Sequence, residues 1–346
     1  MTGDRPEGDP LGGMSQGDIP PDAGAVRWGV LSTARINEKM LRGAHAAAGV
    51  DVIAIASRDR ARGEEFAARH GIARVHGSYE ELLADPDVEA VYIPLPNSLH
   101  VPWSIRALEA GKHVLCEKPL TRRPHEVEEA FDAADRAGLV LMEGFMWRYH
   151  AQTDALVRIA AEIGPLRVVR ACFGFPLPPA DTGNVRLQAD LDGGALMDVG
   201  CYCVSALRLL CGEPERVSGE AVERAGVDGR FAGVLRFAGD VLGTFDCGFD
   251  VPPRGSLEVV GEGGTLLTAD PWHGAAPRLT LTRPGEAPEE IEVAAANPYA
   301  LELSDVSAAI RGAGGPRLGR DDALGQARTI AALYEAAGSR GSVGIG

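Results

Sequence analysis

The sequence predicts two units: an α/β domain built on a doubly wound parallel sheet, then an α+β domain with a large, mainly antiparallel, open-faced sheet. Three observations carry that reading. Short apolar strands alternate with helical stretches through about position 145, the pattern of crossover units. Beyond it come longer alternating or apolar runs separated by Gly and Pro, as in antiparallel meanders with one covered face. Finally, 346 residues at 45% hydrophobic and 24% charged leave room for two cores.

Residues 1–24 are rich in Gly, Pro and Asp, show no periodicity and read as a disordered tail. The first domain is expected over 25–145 and the second over 146–346. Strands are predicted at 26–31, 50–56, 73–76, 90–94, 113–116 and 140–143, with helices to about 48 and at 60–70, 79–84, 103–110 and 124–137. A helix at 153–163 opens the second domain. Its strands are predicted at 166–175, 217–225, 231–237, 241–247, 256–260, 264–269, 278–282 and 289–293. One helix at 195–210 interrupts them early, and helices at 301–311 and 321–337 close the chain, the last packing back on the first domain.

Charge and composition exclude several function classes. With 34 basic and 49 acidic residues the net charge is −15, which argues against nucleic acid and anionic membrane surfaces as partners. No run of about 20 apolar residues predicts a membrane span, and no basic start with an apolar core predicts a secretory signal. The six cysteines form no CxxC pair, so reduced core thiols in a cytoplasmic protein and no metal site are expected.

The first strand runs into Gly29-Val30-Leu31-Ser32-Thr33-Ala34-Arg35-Ile36. A turn of small residues between a first strand and a helix suits a dinucleotide pyrophosphate, with hydroxyls from Ser32 and Thr33 where glycines would offer only amides. At the end of the second strand, Ser57-Arg58 lacks an acid for a free ribose hydroxyl, and Arg62 follows one turn on. That favours NADP, with Ser57 and Arg58 clasping the 2′-phosphate; Asp59, as a helix cap or a ribose acceptor, keeps NAD open. Only three lysines stand among 34 basic residues. One of them, Lys118, follows the fifth strand at the crevice end, where a compact, tunable ammonium differs from Arg.

Five motifs, Gly29 to Ile36, Glu117-Lys118-Pro119, Pro94-Leu95-Pro96-Asn97-Ser98-Leu99-His100, Glu143 to His150 and Gly193 to Tyr202, together resemble the glucose–fructose oxidoreductase/inositol dehydrogenase (Gfo/Idh/MocA) family. The resemblance covers everything after the tail and is nearest to the branch of NADP-dependent xylose dehydrogenases and dimeric dihydrodiol dehydrogenases, with Met146-Trp147-Arg148 and with Tyr202 rather than His at the acid–base position. Position 32, glycine in many relatives, is Ser here. The resemblance implies a Rossmann domain, an open-faced sheet that often mediates oligomers, a homodimer or homotetramer, and a sugar or polyol-like substrate. It implies that Lys118, Asp198 and Tyr202 converge on the substrate carbon. Pro94, Leu95, Asn97, His100, Glu117, Trp147 and Arg148 are expected beside the cofactor; for Trp147 and Arg148 packing between domains is the alternative, and for His100 a helix start. Asp198 and Tyr202 are four apart and share a helix face. Bringing a tyrosine from about 10 to about 7 takes roughly 4 kcal/mol, which an ammonium at about 4 Å supplies at an effective dielectric of about 20. Residues 175–184 are expected to form a substrate-side loop. An NAD-dependent glycosidase using transient oxidation and a nonenzymatic NADP-binding regulator are the competing functions.

Overall fold

The computed structural model describes residues 24–345 except 179, 180, 182, 275, 276 and 340, so the expected tail lies outside the described residues apart from Gly24. The first unit runs β1 (Val26–Leu31), α1 (Asn37–Ala44), β2 (Val50–Ala56), α2 (Arg60–His70), β3 (Arg74–His76), α3 (Tyr79–Leu83), β4 (Ala90–Ile93), α4 (His100–Glu109), β5 (His113–Glu117), α5 (Pro124–Ala137) and β6 (Leu141–Gly144). Its sheet is parallel in the order β3-β2-β1-β4-β5-β6. The order reverses between β1 and β4, which opens a crevice beyond the strands' C-terminal ends. Both faces of the sheet are covered, so β4 reads Ala-Val-Tyr-Ile with every residue buried. Local chemistry sets the helix starts: Asp59 and Ser78 accept from the third amide beyond them and cap α2 and α3.

The second unit follows as α6 (Ala151–Glu162), β7 (Leu166–Gly174), α7 (Cys201–Cys211), β8 (Arg216–Arg224), β9 (Val227–Arg236), β10 (Leu242–Gly248), β11 (Arg254–Gly261), β12 (Gly264–Thr268), β13 (Arg278–Thr282), β14 (Glu289–Glu292), α8 (Pro298–Ile310), α9 (Arg320–Ser339) and β15 (Ser342–Gly344). Its nine strands are ordered β14-β13-β12-β11-β7-β10-β9-β8-β15. Every neighbouring pair is antiparallel except β7 with β10. In β9 burial alternates, Phe231 and Leu235 facing inward and Ala232 and Val234 outward, as a sheet with one covered face requires. The outward face carries Val222, Val234, Leu242 and Leu267, each at least 41% exposed.

Several features depart from the sequence reading. α4 and α8 each begin three residues early, at His100 and Pro298, and β9 begins four early, at Val227. The expected helix at 195–210 opens with a π-helical turn, Leu196–Gly200, before α7. A short last strand, β15, pairs with β8. The stretch Ala189–Cys211 is long and apolar enough to cross a membrane by composition, yet 72% of its most apolar window is buried inside the protein. The closing helices return to the first unit: Trp28 Nε1 donates to Ser307 Oγ of α8 at 3.2 Å. Arg320 at the start of α9 pairs with Asp132 and Asp135 of α5.

Candidate active site

A cavity of about 560 Å³ lies between the C-terminal ends of the parallel strands and the covered face of the second sheet; Ile36, Pro94, Asn97, Lys118, Asp198 and Tyr202 are among its lining. Lys118 follows β5. Its Nζ donates to the Asp198 carbonyl at 2.7 Å and stands 3.4 Å from Asp198 Oδ1. The same Nζ lies 4.8 Å from the centroid of the Tyr202 ring, over its face. The other Asp198 oxygen, Oδ2, accepts from Arg186 Nε at 2.6 Å. Three residues expected to converge are therefore together, and a fourth, Arg186, joins them.

The helix that carries Asp198 and Tyr202 is held at its start by a close backbone approach. A Cβ on Gly193 would lie 2.5 Å from the Arg186 carbonyl oxygen. Gly194 has φ +120, which L side chains rarely adopt, and a Cβ there would overlap Asp228 Oδ1. Asp228 Oδ2 in turn accepts from Leu196 N at 2.6 Å, and its Oδ1 accepts from the Tyr334 hydroxyl at 2.8 Å.

Electrostatics sort these groups. Burial works against the Lys118 ammonium, but Asp198 and Glu117 outweigh it and hold its pKa above the ordinary value. Burial would raise Asp198, yet Lys118 and Arg186 hold it below the usual carboxylate range. Burial, reinforced by Glu117, pushes the Tyr202 phenol well above the ordinary tyrosine value. This corrects the expectation of a phenol near neutrality: the ammonium faces the ring and is bound by Asp198, so it does not offset the phenol's burial. Glu117 accepts from the Tyr92 hydroxyl at 2.5 Å, and burial raises its own pKa.

The turn after β1 fits a pyrophosphate. Ser32 holds φ +79, and Ala34 N donates to Ser32 Oγ at 3.3 Å. The amides of Thr33, Arg35 and Ile36 find no acceptor among the described residues, at the start of α1. Gly29 and Leu31, also expected here, sit inside β1 instead. A Cβ on Gly29 would lie 2.7 Å from Leu82, so the glycine lets α3 approach; Leu31 is fully buried. At the end of β2, the Asp59 carboxylate caps α2 by accepting from Arg62 N at 3.2 Å. Ser57 Oγ accepts from Asp59 N at 3.3 Å, the Arg58 guanidinium lies at the Tyr79 hydroxyl, and the Arg58 and Arg62 side chains stay exposed. Two guanidinium side chains and a hydroxyl, with the one nearby acid occupied as a cap, suit a 2′-phosphate better than a free diol. Asn97, lining the cavity, donates to the Asp192 carbonyl at 2.8 Å. The buried Asp192 carboxylate also takes Arg122 at 3.1 Å and Arg123 at 2.7 Å, tying the two units together beside the crevice.

Three expected cofactor residues turn away from it. His100 is buried, with Nδ1 and Nε2 each 2.8 Å from a carbonyl oxygen, of Pro119 and Leu95. Burial pushes its pKa down to about 4 against the pull of the two carbonyls, and the neutral ring, with one N–H, donates to one of them beside the turn after Lys118. Trp147 is 1% exposed and meets Trp272 edge to face at 5.5 Å. Arg148 pairs with Asp322 of α9 at 3.2 Å. Both pack within the second unit, against Trp272 and α9, because the short 3₁₀ turn after β6 directs them inward. The sequence reading missed Arg186, Trp272 and Tyr299, which line the cavity from irregular segments and α8. Trp272 stacks on Phe173 at 5.8 Å, and Phe173 meets Tyr202 edge to face at 5.3 Å. Of the expected loop at 175–184, positions 179, 180 and 182 lie outside the described residues. No cluster of three or more metal-ligating side chains occurs among the described residues.

Comparison with known proteins gives the family. A profile described as "Oxidoreductase family, NAD-binding Rossmann fold" matches residues 26–145, and one described as "GFO/IDH/MocA C-terminal domain" matches 153–267. The chain is 39% identical to D-xylose 1-dehydrogenase (NADP(+)) 2 of Haloferax volcanii over 320 residues, 90% of this chain and 97% of the relative. It is 37% identical to a trans-1,2-dihydrobenzene-1,2-diol dehydrogenase of Bos taurus, over 71% of this chain and 75% of that one. Among solved structures, KijD10, a 3-ketoreductase from Actinomadura kijaniata in complex with NADP and TDP-benzene, superposes with a TM-score of 0.85 at 33% identity, over 90% of this chain and 98% of that one. The chain belongs to the Gfo/Idh/MocA oxidoreductase family.

Proposed function

We propose that this protein is an NADP-dependent dehydrogenase or ketoreductase that moves hydride between the nicotinamide and a secondary alcohol, ketone or anomeric carbon of a sugar or polyol-like substrate. The observation that carries the reading is the Lys118–Asp198–Tyr202 cluster at the C-terminal end of β5, beside an amide-lined turn suited to a pyrophosphate. Bound NADP would supply or accept the hydride. The chain's own groups handle the proton. Tyr202, whose raised pKa keeps the phenol protonated at rest, donates its proton to a carbonyl oxygen in reduction and is reprotonated from solvent; in oxidation the reverse holds, the phenol first releasing its proton to solvent and then taking that of the substrate hydroxyl. Lys118 holds Asp198 by its backbone and presents positive charge to the tyrosine ring. Asp198 accepts a substrate hydroxyl's hydrogen bond.

On the cofactor side, Ser57, Arg58 and Arg62 take the 2′-phosphate, and the turn at 32–36 takes the pyrophosphate. We assign residues 25–145 to cofactor binding and 146–346 to substrate binding and assembly, in a cytoplasmic homodimer or larger oligomer. Arg58→Ala should weaken NADP on the order of 10–100-fold, the worth of a hydrogen bond to a charged group, and leave NAD nearly unchanged in a fluorescence titration. Equal losses for both would remove Arg58 from this role. Turnover tests the reaction. Aldoses, ketoses and dihydrodiols with NADP should give a stoichiometric change at the reduced-nicotinamide absorbance band. Substrate cleavage without that change would favour a glycosidase, and binding without turnover a regulator.

A further inference from the structure

The Arg186 guanidinium has one hydrogen-bond partner among the described residues: Nε donates to Asp198 Oδ2 at 2.6 Å, while its two terminal nitrogens have none. Its side chain is 40% exposed and lines the crevice with Lys118 and Tyr202. The segment carrying it is fixed rather than loose. Gly194 N donates to the Arg186 carbonyl at 2.9 Å, and Arg186 N donates to Asn184 Oδ1 at 3.1 Å. The guanidinium carbon stands 5.8 Å from the centroid of the Phe175 ring. A planar fork with one edge anchored and the other unoccupied is a preorganised donor pair.

Resting on the dehydrogenase reading above, we infer that Arg186 is a specificity-determining residue whose terminal nitrogens bind the oxygen next to the reacting one, so that the substrate is a neutral vicinal diol or the matching α-hydroxy ketone. Neutrality follows from Asp198. A hydroxyl beside the Arg186–Asp198 pair accepts from the guanidinium and donates to the carboxylate. A carboxylate in the same place can only accept, and it meets the Asp198 charge at close range. Lys118, the other cation against Asp198, is bound to its carbonyl and to Oδ1 and leaves the neighbouring oxygen to Arg186.

The experiment uses the NADP⁺-loaded protein with two pairs of probes: D-xylose against 2-deoxy-D-xylose, and trans-cyclohexane-1,2-diol against cyclohexanol, with lactate as an anionic control. In the wild type, kcat/KM should favour a diol over its deoxy partner on the order of 10²–10⁴-fold, because a site built for a hydroxyl rejects the analogue lacking it. Arg186→Lys, which keeps a charge at Asp198, should bring that ratio to within a few-fold by raising KM for the diol, with NADP affinity unchanged. Arg186→Gln should do the same. A merely structural role would lower kcat for both members of a pair and leave the ratio standing, which would overturn the inference; so would an Arg186-dependent preference for lactate over both diols. Calorimetric affinities for the same pairs separate the two readings. If no probe is oxidised, the dehydrogenase reading fails, while an Arg186-dependent affinity ratio still supports this role and its absence rejects it.

Discussion

At Tyr202 two demands meet: proton transfer asks for an accessible phenol, and the ring, half-buried at the crevice, packs edge to face against Phe145 and Phe173. Tyr202→Phe removes the hydroxyl and keeps the ring, so turnover should fall roughly 10²–10⁴-fold while NADP affinity holds. Because the phenol's pKa is raised, its acid form persists through neutral pH, and carbonyl reduction should stay level until the medium passes the ordinary tyrosine value of about 10. A fall in the reduction rate near pH 7 would assign the proton to another group. Glu143 gives a second residue-level test. Its Oε1 accepts from Leu120 N at 2.8 Å, its Oε2 is buried without a partner, and burial raises its pKa to about 8. Between about 4.5 and 8 the folded chain therefore keeps a proton that the unfolded chain has released. This group's contribution to stability declines as pH rises through that window. Glu143→Gln should match the wild type in Tm at pH 5 and exceed it at pH 9 by on the order of 5 °C; an unchanged difference across pH would mean that Glu143 is not the titrating group.

At the scale of elements, the π turn Leu196–Gly200 with α7 depends on the pair Gly193-Gly194. Gly194→Ala puts a Cβ where φ is +120 and where Asp228 already stands. Strain at such a backbone costs about 1–3 kcal/mol, and Asp228 must shift from Leu196. Denaturation should show a loss of at least that size and kcat should fall, with cofactor affinity retained; an intact kcat would mean that the helix start does not position Asp198 and Tyr202. The parallel strands were legible because both faces are buried, so apolar runs with Gly and Pro between them leave one reading. Lys118 was legible for a different reason: it is one of three lysines in the whole sequence. The π turn was not, since one extra residue in a turn leaves the apolar pattern of 195–210 unchanged. Nor was the direction of His100, Trp147 and Arg148, because standing next to a strand end does not fix which way a side chain turns. Arg186, Trp272 and Tyr299 reach the crevice only through tertiary folding, from segments whose own periodicity says nothing about a site.

For the whole molecule, the uncovered face of the nine-stranded sheet is the expected assembly surface. Leu267, Glu258, Arg170, Thr244 and Val234 lie in one row across that face, with Leu242 beside it. Exposed apolar groups grouped on a flat sheet mark an interaction surface, and a symmetric one serves two copies. Light scattering at micromolar concentration should give a dimer or larger, and Val234→Asp should shift it to the monomer with unfolding behaviour intact; a monomeric wild type would assign the face another role. The Asp192 bridge joins the two units at the water's edge: its carboxylate is buried, but its partners Arg122 and Arg123 are 36% and 39% exposed. Dissolved salt reaches such cations and screens them, so the tie across the mouth of the crevice weakens as ionic strength rises.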